Sequence, residues 1–375
     1  MRDRPTALVL GAGIMGLCAA WGLHRQGFAV RVVEQGPVPN PRGASVDDHR
    51  LIRHAYGAQR GYMRMVDDAY AAWDTLWRDL GEVLHVPTGV LALDEGAGTG
   101  TGAGWLADSR AALRGDRRPC ESLSPAEVAQ RFPLLRAEGI ADAFHCPAGG
   151  VLLAGRIVAA LARHLEGQGV RFTPARVREV AGGGLTLTDG TRLSADALVV
   201  AAGPWAPLLL PGLARRVTPS AQVVVRLAPA DPAWARMPMI LDLSASGGFY
   251  LVPPVAGTPL KIGDHSFSLR GDPDASDRTP DGREVERILD LATHRIRGLR
   301  DMPRLGEATC FYDVEPQERF IIEPFGPQAW VMSGFSGHGF KFGAVLGLRL
   351  AEAIAQPERA EALVPWAAGS ETIAA

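Results

Sequence analysis

Lysine is almost missing from this chain. Of 39 basic residues, only Lys261 and Lys341 are lysine. Arginine makes up the rest, and with abundant alanine and glycine this is what a GC-rich genome produces. An excess of one charge is missing too: 39 Lys plus Arg face 41 Asp plus Glu, a net charge of -2. Without a basic field, nucleic acid is not an expected partner. Cysteine is scarce. Cys18, Cys120, Cys146 and Cys310 form no C-x-x-C pair and show no metal-ligand spacing, so neither a disulfide scaffold nor a metal centre is expected. No apolar run approaches the roughly 18 residues of a membrane span. Residues 1–6 are short and charged, unlike a secretory leader. The expected compartment is the cytoplasm, with no membrane contact. No internal repeat is visible.

What is present is a chain of 375 residues, 47% of them hydrophobic. That is enough for two or three domains with substantial cores. Residues 7–10 are an apolar run that ends at a glycine turn, and a helical pattern follows to about residue 26. A second apolar run, 30–33, completes a β-α-β unit. An amphipathic pattern predicts a helix over 67–80, and the Gly- and Thr-rich stretch 95–104 reads as a surface loop. A helix is expected over 157–165, a strand over 170–173, and a hairpin turning at Asp189-Gly190. Residues 197–202 read as a buried strand running into Gly203-Pro204. Alternation over 222–226, 248–252 and 260–263 points to antiparallel strands of a different domain. Helices over about 282–297 and 342–355 close the chain.

This order predicts an α/β protein. A Rossmann-type nucleotide-binding domain is interleaved with a second α+β domain that carries a mostly antiparallel sheet. The expected boundaries are 1–85, 150–220 and 311–375 for the first, and 86–149 and 221–310 for the second.

Gly11-Ala12-Gly13-Ile14-Met15-Gly16 fits G-x-G-x-x-G between a strand and a helix. Gly11 permits the tight turn, and Gly13 lets a pyrophosphate approach the helix N-terminus. Gly16 lets helix pack on strand. Glu34 ends the second strand, where an acid can bind ribose hydroxyls. This fingerprint does not separate NAD from FAD. Gly334-Phe335-Ser336-Gly337-His338-Gly339-Phe340-Lys341 is a second glycine loop leading into a helix. Such an arrangement suits an anion such as a reduced flavin, and a surface helix with a glycine-rich start is the alternative.

Six segments together carry a family resemblance: GAGIMG (11–16), RLIRHAYG (50–57), VVAAGPWA (199–206), LKIGDH (260–265), CFYDVEPQERFII (310–322) and GFSGHGFKF (334–342). Over nearly its whole length the chain resembles the monomeric sarcosine oxidase group of the D-amino-acid-oxidase-like flavoproteins, which includes N-methyl-amino-acid and pipecolate oxidases. The resemblance implies FAD as cofactor and oxidation of the C–N bond of a small secondary amino acid to an imine. Oxygen would be reduced to hydrogen peroxide, and the enzyme would be a monomer.

The resemblance also implies site roles. Gly11, Gly13, Ile14, Met15, Gly16, Glu34, Arg50, Val177, Gly203, Gly337, His338, Gly339 and Lys341 would contact the cofactor. Cys310 would be joined to it through sulfur, helped by Arg50. Arg53 and Lys341 would grip the substrate carboxylate, the arginine by its fork and the lysine as a point charge. His265, Tyr250 and Tyr312 would line the substrate cavity. Lys261 would lie over the other flavin face and assist oxygen, because a fixed positive charge favours the anion formed in the first electron transfer. One departure stands out: Val46 occupies the place of a family histidine that assists flavin attachment, and His49 lies nearby. Two alternatives remain at this level, a dehydrogenase of the same fold with another acceptor and an NAD-dependent Rossmann enzyme.

Overall fold

The computed structural model describes residues 4–96, 104–244, 248–275 and 277–371. Its first sheet has six strands. In spatial order these are Ile321–Gly326, Ala329–Ser333, Ala197–Val200, Thr6–Leu10, Ala29–Glu34 and Arg171–Pro174. Every neighbouring pair is parallel except the hairpin at the first edge. Thr6–Leu10 lies mid-sheet and is buried from Ala7 onward. Burial on both faces is why it reads as an unbroken apolar run rather than an alternation. Helices Ile14–Arg25, Ala154–Gly167 and Gly343–Ala355 pack against this sheet in the largest core cluster.

A second sheet has eight strands, ordered Arg304–Val314, Thr218–Leu227, Leu260–Asp264, Phe249–Val252, Met239–Asp242, Val90–Asp94, Asp142–Cys146 and Glu121–Ser122. All its pairs are antiparallel except Met239–Asp242 against Val90–Asp94. Helix Gly282–Thr293 covers it, burying Val285, Ile288, Leu289 and Ala292 at helical spacing. The two sheets bear out the expected class: an α/β Rossmann-type part combined with a mostly antiparallel α+β part. A small antiparallel sheet pairs Gly149–Leu152 with Arg50–Arg53 and with His85–Val86. It holds Arg50 and Arg53 on one short strand.

The hairpin turning at Asp189-Gly190 joins Gly184–Leu187 to Arg192–Ser194. Two elements differ from expectation. The helix expected over 67–80 runs over Arg60–Leu80, burying Tyr62, Met63, Met65 and Val66 in its first turns. Gly61 and Arg64 break the apolar period there, and tertiary contacts outweigh that local preference. The helix ending at Ala355 is followed by another, Ala360–Ala367, whose interior Pro365 argues against helix locally. Of the loop expected over 95–104, residues 97–103 lie outside the described residues. No helix among the described residues is long and apolar enough to cross a membrane, and none of their acidic, His or Cys groupings could hold a metal ion.

Candidate active site

A cavity of about 1290 Å³, solvent at its mouth included, runs along the carboxyl ends of the central parallel strands. At one end its wall is Gly11–Met15 and Glu34, and at the other Arg50 and Tyr312. Gly11 stands at φ +103°, and a Cβ there would lie 2.4 Å from Ala201 O. A Cβ on Gly16 would lie 1.9 Å from Gly11 O, so this glycine is needed for helix and strand to touch. Gly16 itself does not line the cavity. The helix starts at Ile14, whose N–H donates to Ser45 Oγ at 2.9 Å. The remaining free N–H groups of that first turn give this end of the cavity its positive pole.

Glu34 closes the same end. Its Oε2 accepts from Ala12 N at 2.8 Å, and its Oε1 accepts from Asn40 Nδ2 at 2.8 Å and Gly36 N at 3.1 Å. A carboxylate has about four acceptor sites, so a hydroxyl donor can still be accommodated. Asn40 and Ser45 were not singled out in the sequence, since neither belongs to a motif. Val177, Gly203, Gly337 and Gly339 line the wall as well. His338, Lys341, Arg53, Lys261, His265, Tyr250 and Cys310 do not; they form two groups beyond the Arg50 end.

In the first group, two cations share one ring. Arg53 Cζ lies 4.6 Å from the Tyr56 ring centroid and Lys341 Nζ 5.3 Å from it. The Trp105 ring lies 5.4 Å from the same guanidinium. Lys341 Nζ donates to Tyr56 Oη and to His338 O, each at 2.9 Å, and Trp73 Nε1 fixes its backbone through Lys341 O at 2.7 Å. That accounts for two of the three ammonium protons. Arg53 Nη1 is buried and has no partner among the described residues. Nor does any of their carboxylates lie within 4 Å of either cation. Burial, and then Arg53, push Lys341 well below its usual pKa.

His338 donates from Nε2 to Glu318 O at 3.0 Å, which leaves Nδ1 to accept from Tyr56 Oη at 3.3 Å. The ring is neutral, since burial and Lys341 lower its pKa well below the histidine range. His265 is neutral for the same first reason, with Arg53 adding to the effect. Its Nε2 donates to Phe249 O at 3.1 Å, so Nδ1 is an acceptor. Its ring centroid is 6.0 Å from that of Tyr250, which lies near Tyr312, Cys310 and Arg50. Tyr250 therefore connects the two groups.

The second group surrounds Arg50, whose guanidinium donates to Ala44 O, Asp47 Oδ2 and His49 O. Lys261 is 1% exposed, and its Nζ donates to Asp47 Oδ2 at 2.6 Å and to His49 O at 2.7 Å. Cys310, on strand Arg304–Val314, is a free thiol. Burial raises its pKa, with Arg50 opposing. Val46 lines the cavity, whereas His49 does not. The His49 ring is wholly buried, with Nε2 on Pro259 O at 3.0 Å, so it does not take the place of a cavity-side histidine.

A model of the FAD dependent oxidoreductase family matches residues 6–353. The chain belongs to this family. Membership removes the NAD-dependent alternative. Monomeric sarcosine oxidase of Bacillus sp. (strain NS-129) is 28% identical over 361 residues, covering 92% of this chain and 91% of that protein. N-methyl-L-tryptophan oxidase of Yersinia pestis (strain Pestoides F) is 30% identical over 354 residues, covering 91% and 92%. Among solved structures, L-proline dehydrogenase from P. horikoshii superposes with a TM-score of 0.79 at 20% identity, covering 94% of each chain, a likeness of fold.

The cavity fits the family's cofactor. Its positive helix pole and the spare acceptor capacity of Glu34 suit a dinucleotide, and Arg50 in the far wall would offer a cation to a ring that gains negative charge on reduction. Asp313 also lines this cavity, accepting from Ser333 Oγ at 3.0 Å and Gly334 N at 2.8 Å. Burial raises its pKa from 3.8 to about 6. A carboxyl that holds its proton more tightly when folded stabilises the protein most at low pH. That stability is lost as pH rises through the window from about 4 to 6, on the order of 2–3 kcal/mol in all. Thermal melting of the cofactor-free protein is expected to show this fall, and Asp313→Asn to flatten it. Parallel curves for the two proteins would refute the assignment.

Proposed function

We propose that this FAD-dependent oxidoreductase oxidises the C–N bond of a small secondary amino acid, an N-methyl amino acid or a cyclic imino acid, to an imine. Oxygen is the electron acceptor and hydrogen peroxide the second product. The observation that carries this reading is the pair Arg53 and Lys341: a buried lysine and a half-buried arginine beside one tyrosine ring, the arginine with a buried, unpartnered Nη1. Such a pair is costly to keep unless an anion arrives. The two curated relatives, named for sarcosine and N-methyl-L-tryptophan, support an N-methyl amino acid as the source of that anion.

When bound, FAD supplies a two-electron acceptor for the hydride equivalent leaving the carbon next to nitrogen. Arg53 and Lys341 hold the substrate carboxylate and thereby fix the α-carbon, removing the orientational search. An incoming carboxylate favours the charged form of Lys341 and so opposes the effect of burial. His265 Nδ1 accepts the substrate N–H and orients the nitrogen. The faces of Tyr250 and Tyr312 favour positive charge as the iminium develops. Lys261 and Arg50 supply positive charge at the flavin end, Lys261 for the step with oxygen. The FAD-binding part comprises 1–85, 150–220 and 311–375, and the substrate part 86–149 and 221–310. The enzyme works as a cytoplasmic monomer.

A screen of secondary amino acids for peroxide release tests the reaction. A colourless protein that FAD does not reconstitute, or substrate-dependent flavin reduction without peroxide, would count against it. Attachment of FAD through Cys310 is a separate expectation. Yellow colour should stay with denatured wild-type polypeptide and wash away from Cys310→Ser. Colour lost from both would disprove the linkage.

A further inference from the structure

Between the cavity-lining residues Val46 and Arg50 lies a carboxylate that the motifs did not single out. The Asp47 side chain is 5% exposed. Its Oδ2 accepts from Lys261 Nζ at 2.6 Å and from Arg50 Nη1, and its Oδ1 accepts from Asp48 N at 2.8 Å and Arg226 Nη2 at 3.1 Å. All its acceptor capacity is therefore spent inside the protein. Its partners come from its own segment and three strands, Arg50–Arg53, Leu260–Asp264 and Thr218–Leu227.

We propose that Asp47 is the positioning residue for Lys261, holding its ammonium protonated and aimed for the step with oxygen. The proposal rests on the role given to Lys261 above. Lys261 is wholly enclosed, and Arg50 and Arg226 bind the same carboxylate. Three cations therefore meet two acids, Asp47 and Asp48, the latter held by Arg226 Nε at 2.8 Å. Take away the charge of Asp47 and the cluster gains a full unit of uncompensated positive charge. Arginine does not give up its proton in proteins, so relief comes from lysine.

The other groups facing Lys261 offer no substitute. His49 is neutral, its pKa lowered to about 3 by burial and Lys261. On strand Arg304–Val314, Cys310 and Tyr312 are kept protonated by burial, as is Tyr250 on Phe249–Val252. Burial pulls the pKa of Lys261 down and Asp47 opposes it, while Lys261 and Arg50 together overcome burial to hold Asp47 well below the carboxylate range.

The chain makes this unusually easy to read, since Lys261 and Lys341 are its only lysines. Isotope labelling at lysine Cε gives two resonances, and the one lost in Lys261→Met belongs to Lys261. In wild type, with or without FAD, that resonance should remain an ammonium signal through neutral pH into the mildly alkaline range. In Asp47→Asn it should titrate about 1–3 pH units lower, and Asp47→Glu should restore it. Reoxidation by oxygen should be flat with pH in wild type. In Asp47→Asn it should fall roughly tenfold or more at mildly alkaline pH and recover on acidification, a recovery that a merely structural defect does not give. An identical Lys261 titration in wild type and Asp47→Asn would overturn the proposal, as would a wild-type Lys261 already neutral at neutral pH. The Lys261 titration is read without turnover. Unchanged reoxidation in Lys261→Met would instead overturn the oxygen role of the lysine.

Discussion

Arg53→Met is expected to weaken turnover and stabilise the fold at once. A charge-assisted hydrogen bond is worth about 1.5–3 kcal/mol, so losing the guanidinium should lower kcat/KM by about 10- to 150-fold, chiefly through KM. The opposite effect on stability follows from the same atom. Nη1 of Arg53 is buried without a partner among the described residues, and a buried unsatisfied donor costs about 1–3 kcal/mol. Methionine packs the same space between Tyr56 and Trp105 without that cost. Melting of the cofactor-free variant should therefore occur at higher temperature than wild type. A non-oxidisable carboxylic acid should raise the melting temperature of wild type and leave the variant unmoved, because a ligand stabilises only the state that binds it. Unchanged KM together with unchanged melting would show that Arg53 does not receive the substrate.

Lys261→Met should separate the two halves of the catalytic cycle. Flavin reduction by substrate should change only a few-fold, because the carboxylate is held by Arg53 and Lys341, in the other group. Reoxidation by oxygen should slow by about 100- to 1000-fold, the range expected when one preorganised charge is removed from a developing anion. Asp47 should remain ionised in this variant, since Arg50 and Arg226 still bind it, and the effect then reports on the ammonium alone. Stopped-flow measurement of each half-reaction decides it. An equal fall in both, or in neither, would remove Lys261 from the oxygen step.

These two residues also show what is readable from a chain. Arg53 and Lys341 could be paired on paper only through a family resemblance, because the 287 residues between them carry no periodic signal linking one to the other. Tyr56 and Trp105, which frame Arg53, look like ordinary core aromatics until the rings are seen around the guanidinium. His49, the nearest histidine to Val46, proved to be turned onto Pro259 O instead of the cavity.

Local chemistry settled a good deal before any folding was considered. Glycines at 11 and 16, an apolar run on either side of a helix and an acid at 34 specify a dinucleotide turn, because each acts over a few residues of backbone. Apolar runs and alternation likewise pointed to the strands of the parallel sheet and to those of the antiparallel sheet. Which charges compensate one another was decided elsewhere. Asp47 meets Lys261 and Arg226 only when strands distant in sequence close on one segment, and Arg53 is left without an ion pair because the fold brings Glu318 near it but no described carboxylate within 4 Å. Ion pairing in a buried site depends on distance and exclusion of water, and neither quantity exists until the chain has folded.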